Sequence, residues 1–246
     1  MRQNRPGRRL RFGNSRRQDP RQRVEVGREM GFKERRDRER TEMRHAILQA
    51  ASEIAAQEGW HAVTIRRVAE KIEYSPPTIY EYFESKEALL EAEASEGFRL
   101  LLVALYAARD AHADPSGRLR AMGRAYWDFV WVHPQLYQAI SGLGGVNFCE
   151  PGHEHPHAEG QQVFEVFFEV LRSVLSPRNG AEGDLEGKCV VLWSLYHGFI
   201  ALLMAGRIPI EEREHSRELA DRSIGELLSA WQAQDSPSHS ARPQTT

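Results

Sequence analysis

From about Arg40 to Trp231, apolar side chains return every three or four residues, and nowhere do they alternate convincingly with a period of two. That rhythm paints one face of an α-helix and denies a sheet its two-sided pattern. Such a chain hides its apolar surface by packing helix against helix. Ile47, Ala50, Ala51, Ile54 and Ala55 predict a first helix ending near Gly59. Thr64 is placed to cap a short helix over 65–72, and Ser75 to cap a third, with Pro76 at its first position, running to about Phe83. Ser85 opens a long fourth helix through Leu105, and Asp114-Pro115 opens a fifth carrying Tyr126 and Phe129. A short helix around Leu136 follows His133-Pro134, then an amphipathic helix from Val163 to Leu175. A buried helix over 189–206 and a last one around Ile224 to Trp231 complete an all-α chain of about nine helices.

Charge is distributed unevenly. The formal net charge is −2, yet residues 1–40 hold 15 of the 33 Lys+Arg and 6 of the 35 Asp+Glu. A basic arm ahead of an acidic body suits a polyanion met at one end of the molecule. The arm shows no periodicity and reads as disordered. A shorter chain starting at Met30 or Met43 is an equal reading. The two cysteines, Cys149 and Cys189, have no CxxC spacing, which favours a reducing cytoplasm over a disulfide framework. No apolar stretch follows the Arg-rich start, so a signal peptide is not expected. Residues 189–206 are uncharged and apolar enough to raise the question of a membrane span. With Ser194, His197, Gly198 and Gly206 inside it, the segment reads instead as a helix buried on most of its faces, with no membrane partner.

Three short helices between 44 and 83 resemble a helix-turn-helix unit, in which the first scaffolds, the second crosses the DNA backbone and the third enters the major groove. The ordered run is Arg44, Ile47-Leu48-Gln49-Ala50-Ala51, Gly59-Trp60, Thr64-Ile65-Arg66-Arg67-Val68-Ala69, Ser75, Thr78-Ile79-Tyr80-Glu81-Tyr82-Phe83 and Ser85-Lys86-Glu87-Ala88-Leu89-Leu90. This run resembles the TetR family in residue types, order and spacing over about fifty residues. The resemblance implies a DNA-binding head over 41–90, a helical regulatory and dimerisation domain over 91–234, and a disordered tail over 235–246. It assigns base-edge contact to Thr78, with Pro77 and Tyr82 beside it, where a Thr hydroxyl donates or accepts and its methyl meets thymine. Arg44, Thr64, Arg66, Tyr80 and Lys86 match phosphate-facing positions, which fix register without reading sequence, and Ser75 at the end of the turn completes the set. Ile47, Ile54, Val68, Ala69, Ile79 and Phe83 are expected as the head's core.

Two departures stand out. The family usually has Ala-Gly-Val-Ser in the turn, and this chain has Ile72-Glu73-Tyr74-Ser75. If position 73 kept a positive φ, Glu would be strained by about 1–2 kcal/mol relative to Gly. A reshaped turn is the expected accommodation. The usual Lys-Gly before Thr is replaced by Pro76-Pro77, which removes a cation and a backbone donor.

Two further fragments, Trp193-Ser-Leu-Tyr-His197-Gly198 and Tyr126-Trp-Asp-Phe129-Val-Trp-Val-His133-Pro134-Gln-Leu136-Tyr137, resemble the TetR subgroup named for a Trp-His-Gly signature. The aromatics Trp127, Phe129, Trp131, Tyr137, Phe164, Phe168, Trp193 and Tyr196, with His197, are candidates to line a ligand cavity between helices. The same spacing also serves plain core packing. Family precedent makes the last two long helices the dimer interface: Val190, Val191, Leu195, Leu202 and Leu203, then Ala220, Ile224, Leu227, Leu228 and Trp231, with Gly198 allowing close approach.

The resemblance therefore implies a homodimeric, sequence-specific transcriptional regulator, most simply a repressor. A small-molecule effector would release it from a palindromic DNA operator, and neither enzymatic activity nor a cofactor is expected. Two rivals remain. His153, His155 and His157, with Glu154, have ligand types suited to zinc or nickel, but they sit in a Gly/Pro loop without rigid helical spacing; they mark a metal-dependent enzyme or sensor as the alternative. The other is an architectural protein that binds DNA through the basic arm alone.

Overall fold

The computed structural model describes residues 20–142, 158–175 and 182–235. Among them are nine α-helices and no strand: α1 Pro20–Glu58, α2 Ile65–Lys71, α3 Pro76–Tyr80, α4 Lys86–Asp110, α5 Pro115–Val132, α6 Pro134–Ser141, α7 Ala158–Leu175, α8 Glu182–Met204 and α9 Arg213–Asp235. The chain packs as two units, residues 1–46 and 47–246.

In the first unit the described residues 20–46 are helical, where the sequence led us to expect a disordered arm up to about Arg40. Arg, Lys, Glu and Gln favour helix without laying down an apolar stripe, so periodicity does not register them. Pairs such as Arg35 Nε to Glu39 Oε1, 2.8 Å apart, add a little.

In the second unit the caps fall where the side chains demand them. Thr64 Oγ1 accepts from Arg67 N at 3.2 Å, Ser85 Oγ from Ala88 N at 3.1 Å, and Asp114 Oδ1 from Gly117 N at 2.7 Å. Ser75 differs. Pro77 leaves no N–H at the second helical position, and the Ser75 hydroxyl turns instead to Thr78 Oγ1 at 3.1 Å. The third helix also stops at Tyr80, short of Phe83, although Phe83 N still reaches Ile79 O at 3.0 Å.

The turn after α2 is not reshaped. Glu73 has φ 60°, the one non-Gly positive φ among the described residues. Glu73 N donates to Glu70 O at 3.2 Å and Tyr74 N to Ala69 O at 2.9 Å. That pair of bonds is a Schellman ending, which needs a left-handed residue where glycine normally sits. The closure is kept and the Glu backbone is strained. Glu73→Gly is expected to stabilise the protein by about 1 kcal/mol, raising Tm by roughly 2–4 °C in a chain of this size. Thermal unfolding followed by circular dichroism checks it; an unchanged or lower Tm would show the turn to be unstrained.

Two cores form within this unit. Ile47, Ile54, Val68, Ala69, Ile79 and Phe83 are all buried, as expected for the head. Helices α4 to α9 enclose the larger core around Leu105, Met122, Trp127, Tyr137, Leu171 and Ile200. Glu93 of α4 is 2% exposed. Ser52 Oγ donates to its Oε2 at 3.0 Å, Oε1 has no partner among the described residues, and burial pushes the carboxyl up to about 7. Nothing in the residue pattern had marked it.

Helix α8 corrects another expectation. Leu185, Cys189, Leu192, Tyr196, Ile200 and Leu203 make one buried stripe, but Val191 and Leu202 are 44% and 45% exposed. The helix is buried on one side rather than on most of its faces. Asp184–Met204 is long and apolar enough to cross a membrane by length and composition.

Candidate DNA-binding head and effector cavity

Ile79 and Phe83 pin α3 into the head core, and this leaves the residues between and before them facing outward. Tyr80 is 53% exposed, Pro77 and Ser75 are exposed, and Thr78 is half-buried. Tyr82 is half-buried. Lys86, at the first position of α4, has no ion-pair partner among the described residues and remains available to a phosphate. Thr64 accepts a backbone N–H, which leaves its hydroxyl proton free to donate outward. Arg66 is exposed but its Nε lies 2.8 Å from Glu70 Oε1, so gripping a phosphate means exchanging that solvated pair. Arg44 is exposed and lies in the first unit.

Two ion pairs stiffen the scaffold behind these groups. Arg67 holds Glu58, with Nη1 2.9 Å from Oε2, and also reaches Ala62 O at 3.2 Å. Lys71 Nζ lies 2.9 Å from Glu53 Oε2. The carboxyls of Glu58 and Glu53 sit below the usual range because Arg67 and Lys71, respectively, hydrogen-bond to them.

The larger core contains a cavity of about 330 Å³ among α4 to α9. Of the expected lining residues, Tyr137, Phe164, Trp193 and Tyr196 do line it. Trp127, Phe129, Trp131, Phe168 and His197 do not. Trp127 and Phe129 are buried in the surrounding core without lining the cavity, Trp131 packs half-buried under the Arg213 guanidinium at 5.3 Å, and Phe168 stacks behind Phe164. The indole N–H groups of Trp127 and Trp131 are buried without a hydrogen-bond partner among the described residues. The wall also uses Tyr126, Phe167, Gly123 and Asp221, which the aromatic pattern did not single out. A Cβ on Gly123 would run into the Tyr196 hydroxyl, so this helical glycine makes room for a ring. That hydroxyl donates to Asp221 Oδ1 at 2.5 Å. Tyr137 Oη lies 2.7 Å from His197 Nδ1, so the histidine stands behind the wall. Burial lowers the His197 pKa.

On the outside of α8, Val191, Leu195, Gly198 and Leu202 recur at four, three and four, opposite the buried stripe. A Cβ at Gly198 would meet nothing within 4 Å. On α9, Leu227, Leu228 and Trp231 are half-buried against the core, whereas Ile224 is buried and lines the cavity, which removes it from the interface set. His153, His155 and His157 lie outside the described residues, and no group of three metal-ligating side chains occurs among the described ones.

Residues 47–92 match the family described as "Bacterial regulatory proteins, tetR family", and residues 119–227 match "Tetracyclin repressor-like, C-terminal domain". The HTH-type transcriptional activator FasR of Mycolicibacterium smegmatis is 33% identical over 101 residues, 41% of this chain and 46% of that one. The HTH-type transcriptional regulator UidR of Escherichia coli is 41% identical over 49 residues, 20% of this chain and 25% of that one. The chain thus spans less than half the length of these curated relatives, both named as transcriptional regulators rather than enzymes. A protein with unknown function from Rhodococcus sp. RHA1 shares the fold with TM-score 0.59 at 20% identity, over 79% of this chain and 95% of that one. PfmR, a TetR family transcriptional regulator from Thermus thermophilus, does so with TM-score 0.56 at 21% identity, over 71% and 94%. The finer likeness to the Trp-His-Gly subgroup rests on its two fragments alone. With an N-terminal and a C-terminal model of one family matched in order over well more than half its length, on a fold shared with solved TetR structures, the chain belongs to the TetR family.

Proposed function

We propose that the chain is a sequence-specific DNA-binding transcriptional regulator, a homodimer that represses from a palindromic operator until a small molecule occupies the cavity. The observation that carries this reading is the head. A short helix pinned by Ile79 and Phe83 presents the exposed Tyr80 and the half-buried Thr78 beside Lys86, which has no ion-pair partner among the described residues.

Release has a physical route. Trp60 Nε1 of the head donates to Gln135 O at the start of α6, 3.1 Å away, and two residues later the same helix brings Tyr137 to the cavity wall. A Cβ on Gly97 of α4 would meet Ile140 Cγ2 at 2.9 Å, so α4 and α6 are packed without slack. A ligand that favours a different α6 position shifts the head with it, and operator affinity falls by the ligand's differential binding to the two states. The name of FasR, an activator, keeps the sign of regulation a separate question, answered by transcription from the operator with and without protein.

The outer stripe of α8, with Leu227, Leu228 and Trp231 of α9, is the face for a second copy. It accounts for the apolar length of α8 without a membrane, and a DNA operator locates the protein in the cytoplasm. Leu202→Glu would place two carboxylates across the two-fold. Sedimentation is expected to show monomers, and duplex affinity is expected to fall by on the order of a hundredfold as one head is lost. Helical circular dichroism should stay unchanged. A variant that stays dimeric and binds DNA normally would remove α8 from the interface.

A further inference from the structure

The helical path of α3 continues past Tyr80. Glu81 keeps φ −69° and ψ −19°, its N–H donates to Thr78 O at 3.3 Å, and Phe83 N reaches Ile79 O at 3.0 Å. At about 100° per residue, Glu81 lies roughly 160° round the helix from both buried anchors, Ile79 and Phe83. Pro77 stands one turn before it, with Thr78 and Tyr80 to either side. Glu81 is therefore at the centre of the outward face, the face that a recognition helix turns into the major groove. It is exposed, and its carboxylate has no partner among the described residues. Neighbouring carboxylates of the head are matched to cations: Glu70 to Arg66, Glu53 to Lys71 and Glu58 to Arg67. Glu84 is exposed too, but it follows Phe83, where the helical path has ended.

An ionised carboxylate only accepts hydrogen bonds. In the major groove guanine presents two acceptors, thymine an acceptor and a methyl, and adenine an amine beside the N7 acceptor. Cytosine alone presents a donor with no acceptor on the same base. The flanking phosphates repel a carboxylate at every sequence, and a base that returns a hydrogen bond offsets that repulsion.

We propose that Glu81 is a specificity-determining residue of the head, accepting from a cytosine amine and disfavouring the other bases at that position. The proposal rests on the DNA-binding reading above and deepens it. The helix rise carries Glu81 about 4.5 Å beyond Thr78, close to one base-pair step of about 3.4 Å, so its base pair adjoins the one Thr78 meets. The side chain weakens binding to non-matching DNA and recovers the loss at cytosine, so it discriminates more than it tightens.

Selection from random duplexes with the whole 246-residue chain, followed by fluorescence anisotropy on the selected duplex and a scrambled one, tests this. Thr78→Ala locates the base pair that Thr78 reads. Cytosine is expected beside it in each half-site, with affinity falling on the order of tenfold when that pair is changed in one half-site. Glu81→Gln keeps the shape, removes the charge and adds a donor, and the preference is expected to move towards adenine, whose N6 and N7 suit an amide. Glu81→Ala should level the four bases at that position to within about twofold. It should also bind the scrambled duplex several-fold more tightly, the reverse of removing a cation, with helical circular dichroism unchanged. No cytosine at that position with the natural sequence, or a preference left unchanged in Glu81→Ala, would overturn the proposal and leave the head a sequence-specific binder. No motif at all from the natural sequence would overturn it together with the DNA-binding reading.

Discussion

Lys86→Ala and Tyr80→Ala are each expected to weaken binding to every duplex, operator or not, by on the order of thirtyfold. The size follows from symmetry: a contact worth about 1 kcal/mol per head is lost twice in a dimer. The two variants separate by salt. Lys86 contributes a cation, so its loss should reduce the slope of log K against log salt by about 2 per dimer, whereas the neutral Tyr80 should leave the slope unchanged. Both side chains project from a backbone held by the buried Ile79, Phe83 and Leu89, so neither substitution disturbs the fold. Thr78→Ala should behave differently, relaxing discrimination at one base pair in each half-site by up to about tenfold while non-specific affinity holds. Fluorescence anisotropy against an operator and a scrambled duplex, over a salt series, reads all three. Unchanged operator affinity in the three variants would remove the site assignment.

Removing residues 1–29 is expected to have the largest effect of all. Residues 47–92, which carry the proposed base-reading and most of the proposed phosphate-facing groups, hold four Lys or Arg and eight Asp or Glu. Such a head is repelled by DNA on average and needs cations from elsewhere. Residues 1–29 supply ten Arg against three acidic residues. If three of those arginines per chain neutralise phosphates, the dimer loses about 5 from its salt slope, and operator affinity near physiological salt falls by on the order of a hundredfold or more. The preferred sequence should survive the deletion, because Thr78 and its neighbours remain. Equal affinity and equal slope with and without residues 1–29 would show that the basic segment does not touch DNA. Loss of all sequence preference would favour the architectural reading instead.

Residue patterns reveal some parts of this fold and hide others, for physical reasons. Thr64, Ser85 and Asp114 were legible as caps because an oxygen just before a run of helix formers has one local task. The head core was legible because Ile47, Ile54, Val68 and Ile79 must all face the same way. The helix from Pro20 was not, since its charged residues favour helix without facing anything. Glu73 was misread because strain looked avoidable, yet the two hydrogen bonds of the Schellman ending outweigh it. In the cavity, spacing placed the aromatics on buried faces but could not say which of them reach the open space. Trp127 and Phe129 went to the core, and Tyr126, the immediate neighbour of Trp127 in the chain, went to the wall. The outer stripe of α8 is legible as apolar, and the structure leaves its Val191 and Leu202 exposed.

Selection of bound sequences from random duplexes at moderate salt, with the whole 246-residue chain, decides whether the protein is a sequence-specific dimer. A two-fold symmetric motif is expected, with half-sites about one helical turn apart, weakened at one base pair per half-site by Thr78→Ala. Recovery of no common motif, from protein shown to be dimeric and free of bound ligand, would contradict it.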